Sequence, residues 1–180
     1  VIGHFNRAYS ISEAIDAFLP GVYEKSMRDG VSNDKGSGDD RYTFLAGSTF
    51  GGVITYDDKF IYSHHSTDPI SGVLCNAFDM VRYHKFIVED NDVESETPTN
   101  KRPSYQMMLD FAVKDDKVKR QIGESKLALA KSAFDGIEVD EDVDGEEDTA
   151  WHEQMDIDRK GNYTATINNI ALILENDKAF

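Results

Sequence analysis

Four side chains within one short stretch have the chemistry to hold a metal or act as a nucleophile: His64, His65, Cys75 and His84. A zinc site needs Cys or His ligands paired at short spacing, as in C-x2-C, so that two of them chelate from one turn. Adjacent histidines on extended backbone point to opposite faces, so His64 and His65 cannot both face one ion. Cys75 is the only cysteine and has no partner of its kind. The expectation is therefore hydrogen-bonded histidines and a buried thiol, with no metal ligands and no cofactor in this chain; zinc is the alternative. A second group is acidic. Asp140-x-Asp142-x-Asp144-Gly145 opens like a calcium loop, but its twelfth position, which should be a bidentate Glu, is Trp151. Asp156-x-Asp158-x-Lys160-Gly161 fails likewise, with Ile167 at the twelfth place. These Asp-x-Asp pairs also resemble polymerase carboxylates, yet they lack the apolar flanks that would hold such residues rigidly. Neither G-x-S-x-G nor G-x-x-x-x-G-K-[ST] occurs, and Gly36-Ser37-Gly38 lies in a loop-like run. No catalytic residue is expected.

A different chemistry is open to the aromatic residues of the same stretch. Tyr42, Phe44, Tyr56, Phe60, Tyr62 and Tyr83 alternate with Arg41, Lys59, Arg82 and Lys85. Aromatic faces on a small sheet with cations at the rim suit stacking of single-stranded bases. The candidate nucleic-acid-binding set is Arg41, Tyr42, Tyr56, Lys59, Tyr62, His64, His65, Arg82 and Lys85. Asp57, Asp58, Asp68 and Asp79 offset the four cations, so electrostatic drive is weak. The competing expectation is that the aromatics form the core of the sheet.

Positioning these residues falls to a mixed set of elements. Ser10 and Glu13 have capping-box spacing ahead of Ile11, Ala14, Ile15, Phe18 and Leu19, a helix stopped by Pro20-Gly21. Arg41–Leu45 reads as a strand, and residues 53–56 and 59–62 flank Asp57-Asp58 at hairpin spacing. Asn76 can cap a helix with Asp79 at its third position. Residues 89–102 read as a polar linker. Pro103 opens an amphipathic helix and Asp115-Asp116 another, with Gly123 its weak point. A last apolar helix carries Ile167, Ile170, Ala171 and Leu174. The fold class is thus α+β: a small antiparallel sheet, built like a metal-free zinc-ribbon hairpin, flanked by helices and followed by a helical segment.

Bulk properties set limits on this picture. Net charge is −15 over 180 residues, but residues 135–158 hold 12 of the 34 acids and no Lys or Arg. The remainder, 22 acids against 19 bases, is close to neutral. Only the acidic belt is thereby barred from phosphate. No apolar run approaches twenty residues and no charged-then-apolar segment opens the sequence, so neither a membrane span nor a signal peptide is expected. One cysteine suits a reducing cytoplasm. The start without Met and the abrupt end in an apolar helix suggest a piece of a larger protein.

The segments FNRAYSISEAIDAFLPGVYE and RYTFLAGSTFGGVITYDDKFIYSHHSTDPISGVLCNAFDMVRYHKF resemble the region upstream of the helicase in the virulence-associated E family. These are large primase–helicase-type replication proteins of phages and integrative elements. The shared run is Gly51-Gly52, Tyr56-Asp57, Ser63-His64-His65, Thr67-Asp68-Pro69 and Cys75 to Asp79. RPSYQMMLDFAVKDDKVKRQI and WHEQMDIDRKGNYTATINNIALILEND are similar to the lead-in of that family's ATPase domain. The hairpin and following helix also resemble, in shape, the zinc ribbon of bacterial replicative primases, although the paired cysteines are absent. The resemblance implies a primase-associated, ribbon-like α+β domain over residues 1–88 and a linker with a helical segment over 89–134. It further implies a helical lead-in over 150–180 to an ATPase/helicase domain; the acidic run over 135–149, outside the resemblance, has almost nothing to bury and reads as a disordered linker. It implies an accessory region that contacts single-stranded or primed DNA in a cytoplasmic replication protein whose ATP and Mg belong to the parent. The alternatives are a non-catalytic protein–protein interaction module and a metal-dependent hydrolase using His64, His65 and the acidic residues.

Overall fold

A computed structural model describes residues 1–26, 40–133 and 150–176. The expected disordered linker, its calcium-like Asp140–Asp144 run and most of the glycine-rich loop after Lys25 lie outside the described residues. The chain forms two compact units, Ile2–Met108 and Leu109–Phe180 with Val1. Its fold class is α+β: among the described residues it has six α-helices and one five-stranded antiparallel sheet.

In the first unit the strands follow one another as a meander, in the order β1 (Tyr23–Lys25), β2 (Arg41–Phe44), β3 (Val53–Tyr56), β4 (Phe60–Ser63) and β5 (Leu74–Cys75). Antiparallel register pairs Tyr23 with Phe44, Tyr42 with Val53, Thr55 with Ile61 and Ile61 with Cys75, which puts all of them on one face. That face is buried. On its side lie α1 (Ile2–Ala8), α2 (Ile11–Phe18) and α3 (Ala77–Phe86), and α3 packs on β4, β5 and the two preceding helices. Phe5 anchors the helical layer, with ring centroids 5.2 Å from Tyr9, 5.7 Å from Phe18 and 5.8 Å from Phe78. Such pairs add roughly 0.5–1.5 kcal/mol each beyond area burial.

Helix α2 starts where the sequence places it, and its free N–H groups can be accounted for individually. Ser10 Oγ accepts from the Glu13 amide at 3.3 Å, while the Glu13 carboxylate accepts from the Ser10 amide at 3.0 Å. The β3–β4 hairpin supplies the rest. The Ile11 N–H donates to the Asp58 carbonyl at 2.8 Å, and the Ser12 N–H and hydroxyl donate to the Asp58 carboxylate at 2.8 and 2.6 Å. Asp57 and Asp58 both have left-handed φ, +50° and +53°, which is the signature of a type I′ turn. Lys59 closes that turn, so β4 begins one residue later than the spacing suggests. At α3 the Asn76 side chain accepts from the Asp79 amide at 2.8 Å and Asn6 from the Phe78 amide at 2.9 Å.

The stretch after α3, whose residues 89–102 read from sequence as a linker, holds two short 3-10 turns, Ile87–Asp90 and Thr99–Lys101. Asp90 is buried and accepts from the Ser104 amide at 2.9 Å and hydroxyl at 2.7 Å. This fixes the segment to the start of α4 (Pro103–Ala112), whose N1 residue is the expected proline.

The second unit holds α5 (Asp116–Ala133), a 3-10 turn at Ala150–Gln154 and α6 (Ile167–Asn176). Asp115 caps α5 by accepting from the Val118 amide at 3.0 Å. Helix α6 buries Asn169, whose side chain bonds the Asp156 amide and carbonyl, and exposes Ile167, Ile170 and Leu174. No described helix is long and apolar enough to cross a membrane.

Candidate nucleic-acid interface

On the opposite face of the sheet, no described helix of the first unit is packed. Cross-strand register aligns Arg41, Ile54, Tyr62 and Leu74 in one row, with Tyr56 and Phe60 paired in the next. Strand spacing makes the first row about 14 Å long. Tyr56, Phe60 and Leu74 are exposed, and Tyr62 and Ile54 are half-buried. His64, two residues beyond Tyr62, is exposed and meets that ring edge-on at 4.8 Å. Arg41 and Lys59 are exposed, and neither has an acidic partner among the described residues.

Of the nine residues singled out from sequence, five therefore share this uncovered side of the sheet and its hairpin tip: Arg41, Tyr56, Lys59, Tyr62 and His64. Three are corrected to the interior. Tyr42 alternates to the inner face and is 6% exposed. His65 is 5% exposed and Arg82 3% exposed, so neither reaches a strand lying on the surface. Lys85 is exposed, but it belongs to α3 on the helical side. Phe60, one of the stacking aromatics read from sequence though outside the nine, is exposed; Phe50, also exposed, had no place in that reading, because it follows a Gly-Ser-Thr turn that gives no periodic signal.

Of the two enclosed histidines, His84 has side-chain partners, whereas His65 Nε2 is buried without a hydrogen-bond partner among the described residues. His84 Nε2 lies 2.6 Å from the Tyr23 hydroxyl and 3.3 Å from the Asp68 carboxylate. The Tyr23 hydroxyl is also 3.0 Å from each Asp68 oxygen, and the Ile70 amide donates to Asp68 at 3.1 Å. Burial alone would raise the Asp68 pKa, but hydrogen bonds from His84, the Ile70 amide and Ser63 outweigh it and hold the carboxyl below its ordinary range. Burial, then the nearby Asp68 charge, pushes the Tyr23 hydroxyl far up, so it stays a donor. Cys75 is buried beside this cluster. Its thiol is pushed up to about 12 by burial and by the Asp79 charge, the opposite of an activated nucleophile. Among the described residues, no group of three His, Cys, Asp or Glu side chains is placed to hold one metal ion.

His65 explains two glycines of the turn. A Cβ on Gly47 would stand 2.7 Å from its Nδ1, and one on Gly52 would stand 2.6 Å from its Nε2. The ring fits only because both side chains are missing. Gly52→Ala is expected to cost about 1–3 kcal/mol through overpacking, since the buried ring has nowhere to swing. Urea denaturation of a double-mutant cycle checks this: His65→Ala should cost clearly less in the Gly52→Ala background than in the native one.

No protein-family profile, curated protein or solved structure matches the chain.

Proposed function

We propose that this chain is the accessory, single-stranded-DNA-contacting region of a phage or mobile-element primase–helicase. The observation that carries the proposal is the outward sheet face, where Tyr56, Phe60, Tyr62 and His64 lie beside Arg41 and Lys59, exposed cations with no acidic partner among the described residues. A sheet that spends its outer face on aromatic rings can stack two or three bases, as small RNA-binding sheets do. The chain's own contribution is binding and placement of the strand. ATP and Mg would act in the parent's ATPase domain, and the uncovered Ile167, Ile170 and Leu174 of α6 are the surface on which that domain would be coupled.

Fluorescence anisotropy with a labelled oligothymidine, repeated at several salt concentrations, tests the proposal. With only Arg41 and Lys59 to neutralise phosphate, log affinity should fall against log salt with a slope of about −1.4. Tyr62→Ala or Phe60→Ala should weaken binding by about 1–3 kcal/mol per stacked base lost. Absence of binding at low salt would sink it. The second reading is a protein–protein interaction module, favoured by exposed Val73 and Leu74 at the β5 edge. It gains ground if the salt slope is flat and the oligonucleotide does not bind.

A further inference from the structure

Beside the uncovered face, the turn between β2 and β3 forms a small recess with Ser26, Arg41, Phe50 and Gly51 as its walls. Phe50 is 68% exposed, more than any aromatic residue on the sheet itself. An exposed benzyl group adds nothing to folding, yet its backbone is held firmly. The Gly51 amide donates to Thr43 Oγ1 at 3.0 Å, its carbonyl accepts from Arg41 Nη1 at 3.2 Å, and Thr43 Oγ1 is 2.7 Å from Ser26 Oγ. Gly51 has φ +66°, a left-handed conformation that a side chain would strain. The backbone that carries Phe50 and the Arg41 guanidinium are thus held before any ligand arrives, which lowers the ordering cost of binding.

We infer that this recess is the anchoring subsite of the face, taking one unpaired nucleotide with its base against Phe50 and its phosphate on Arg41. The inference rests on the single-strand reading above and adds a defined end point to it. Three observations favour a phosphate-bearing ligand over an apolar one. The adjacent acid, Asp40, is paired with Lys25 at 2.6 Å, so among the described residues no carboxylate pairs with Arg41. An apolar protein surface closing over it would bury that charge unpaired, which is costly. One guanidinium N–H is committed to Gly51, and the others remain for a two-point contact with phosphate oxygens. Register also makes the recess continuous with the stacking row, since Arg41 pairs with Ile54 and Ile54 with Tyr62.

Amide NMR of the 180-residue chain, titrated separately with an eight-residue oligothymidine, with thymidine monophosphate and with thymidine, tests the assignment. Both phosphorylated probes should shift the Phe50 and Gly51 amides. Phe50→Ala should weaken each by about fivefold or more, and Phe50→Leu should not restore binding, because apolarity without an aromatic face does not stack. Arg41→Gln should weaken the monophosphate and leave thymidine unchanged. If the oligonucleotide shifts Tyr56 and Tyr62 but not Phe50 and Gly51, the subsite is overturned while the face survives. If it shifts nothing, both fall. Equal binding of thymidine and its monophosphate overturns the role of Arg41.

Discussion

Replacing Asp68 by Ala will cost about 3–5 kcal/mol of stability, because it removes a buried carboxylate and leaves several buried donors unsatisfied at about 1–3 kcal/mol each. Its side chain is fully enclosed, and its loss leaves the Tyr23 hydroxyl, His84 Nε2 and the Ile70 amide short of an acceptor. Asp68→Asn should cost less, because one acceptor oxygen survives. The carboxylate also gives the protein an acid limb. Its folded pKa lies below the unfolded value, near 3.9, so the stability it contributes is present above that value. That contribution is lost as pH falls through the depressed folded pKa. Urea midpoints between pH 7 and 3 should therefore drop for the native chain and drop less for Asp68→Asn. An unchanged midpoint in Asp68→Ala at neutral pH would refute the structural role of the cluster.

Arg82→Ala should be of comparable size, again about 3–5 kcal/mol. The buried guanidinium donates to Asp79 at 3.1 Å and to the Ser104 hydroxyl at 3.0 Å, and Ser104 in turn donates to the buried Asp90. Removing the cation leaves Asp90 with its hydroxyl donor but without the charge that lies behind it. Arg82→Met, which keeps the stem and removes the charge, should cost less than Ala, because packing is retained. Arg82→Met beside Arg41→Gln separates a structural role from the proposed DNA contact. Arg82→Met should leave the salt slope of oligonucleotide binding unchanged, whereas Arg41→Gln should make it shallower by about 0.7. Chemical denaturation and anisotropy on the same samples decide both points.

Local signals were the legible ones. Ser10 and Glu13 form the capping box their spacing implies, Asn76 caps α3, and Pro103 and Asp115 mark the starts of α4 and α5. The hairpin around Asp57-Asp58 was readable because alternation on both sides of a two-residue turn leaves little choice of pairing. Strands β1 and β5 escaped notice: three and two residues long, they exist because β2 and β4 offer them a partner. Helix α1, with seven residues and no acidic first turn, has too little of its own pattern to announce itself. At the site, alternation alone could have sent Tyr42 inward once Arg41 was placed outside. The burial of His65 and Arg82 depended on Gly47, Gly52, Ser104 and Asp90, contacts far apart in sequence that no short window contains.

The grip of Asp58 on α2 bears on how this molecule comes together. The helix's first N–H groups find their acceptors 46 residues downstream, on the hairpin tip. That acceptor exists only once the tip has adopted its two left-handed residues. Neither half is complete alone, and closing a loop of that length costs chain entropy before any of the bonds form. Helix and hairpin therefore gain their stability in one cooperative step, with the slower assembly that long-range contacts impose. A shortened chain beginning at Arg41 would keep the whole hairpin sequence. It would still leave Asp58 in a left-handed conformation with no helix to hold, so the smallest autonomous piece must reach back past Ser10.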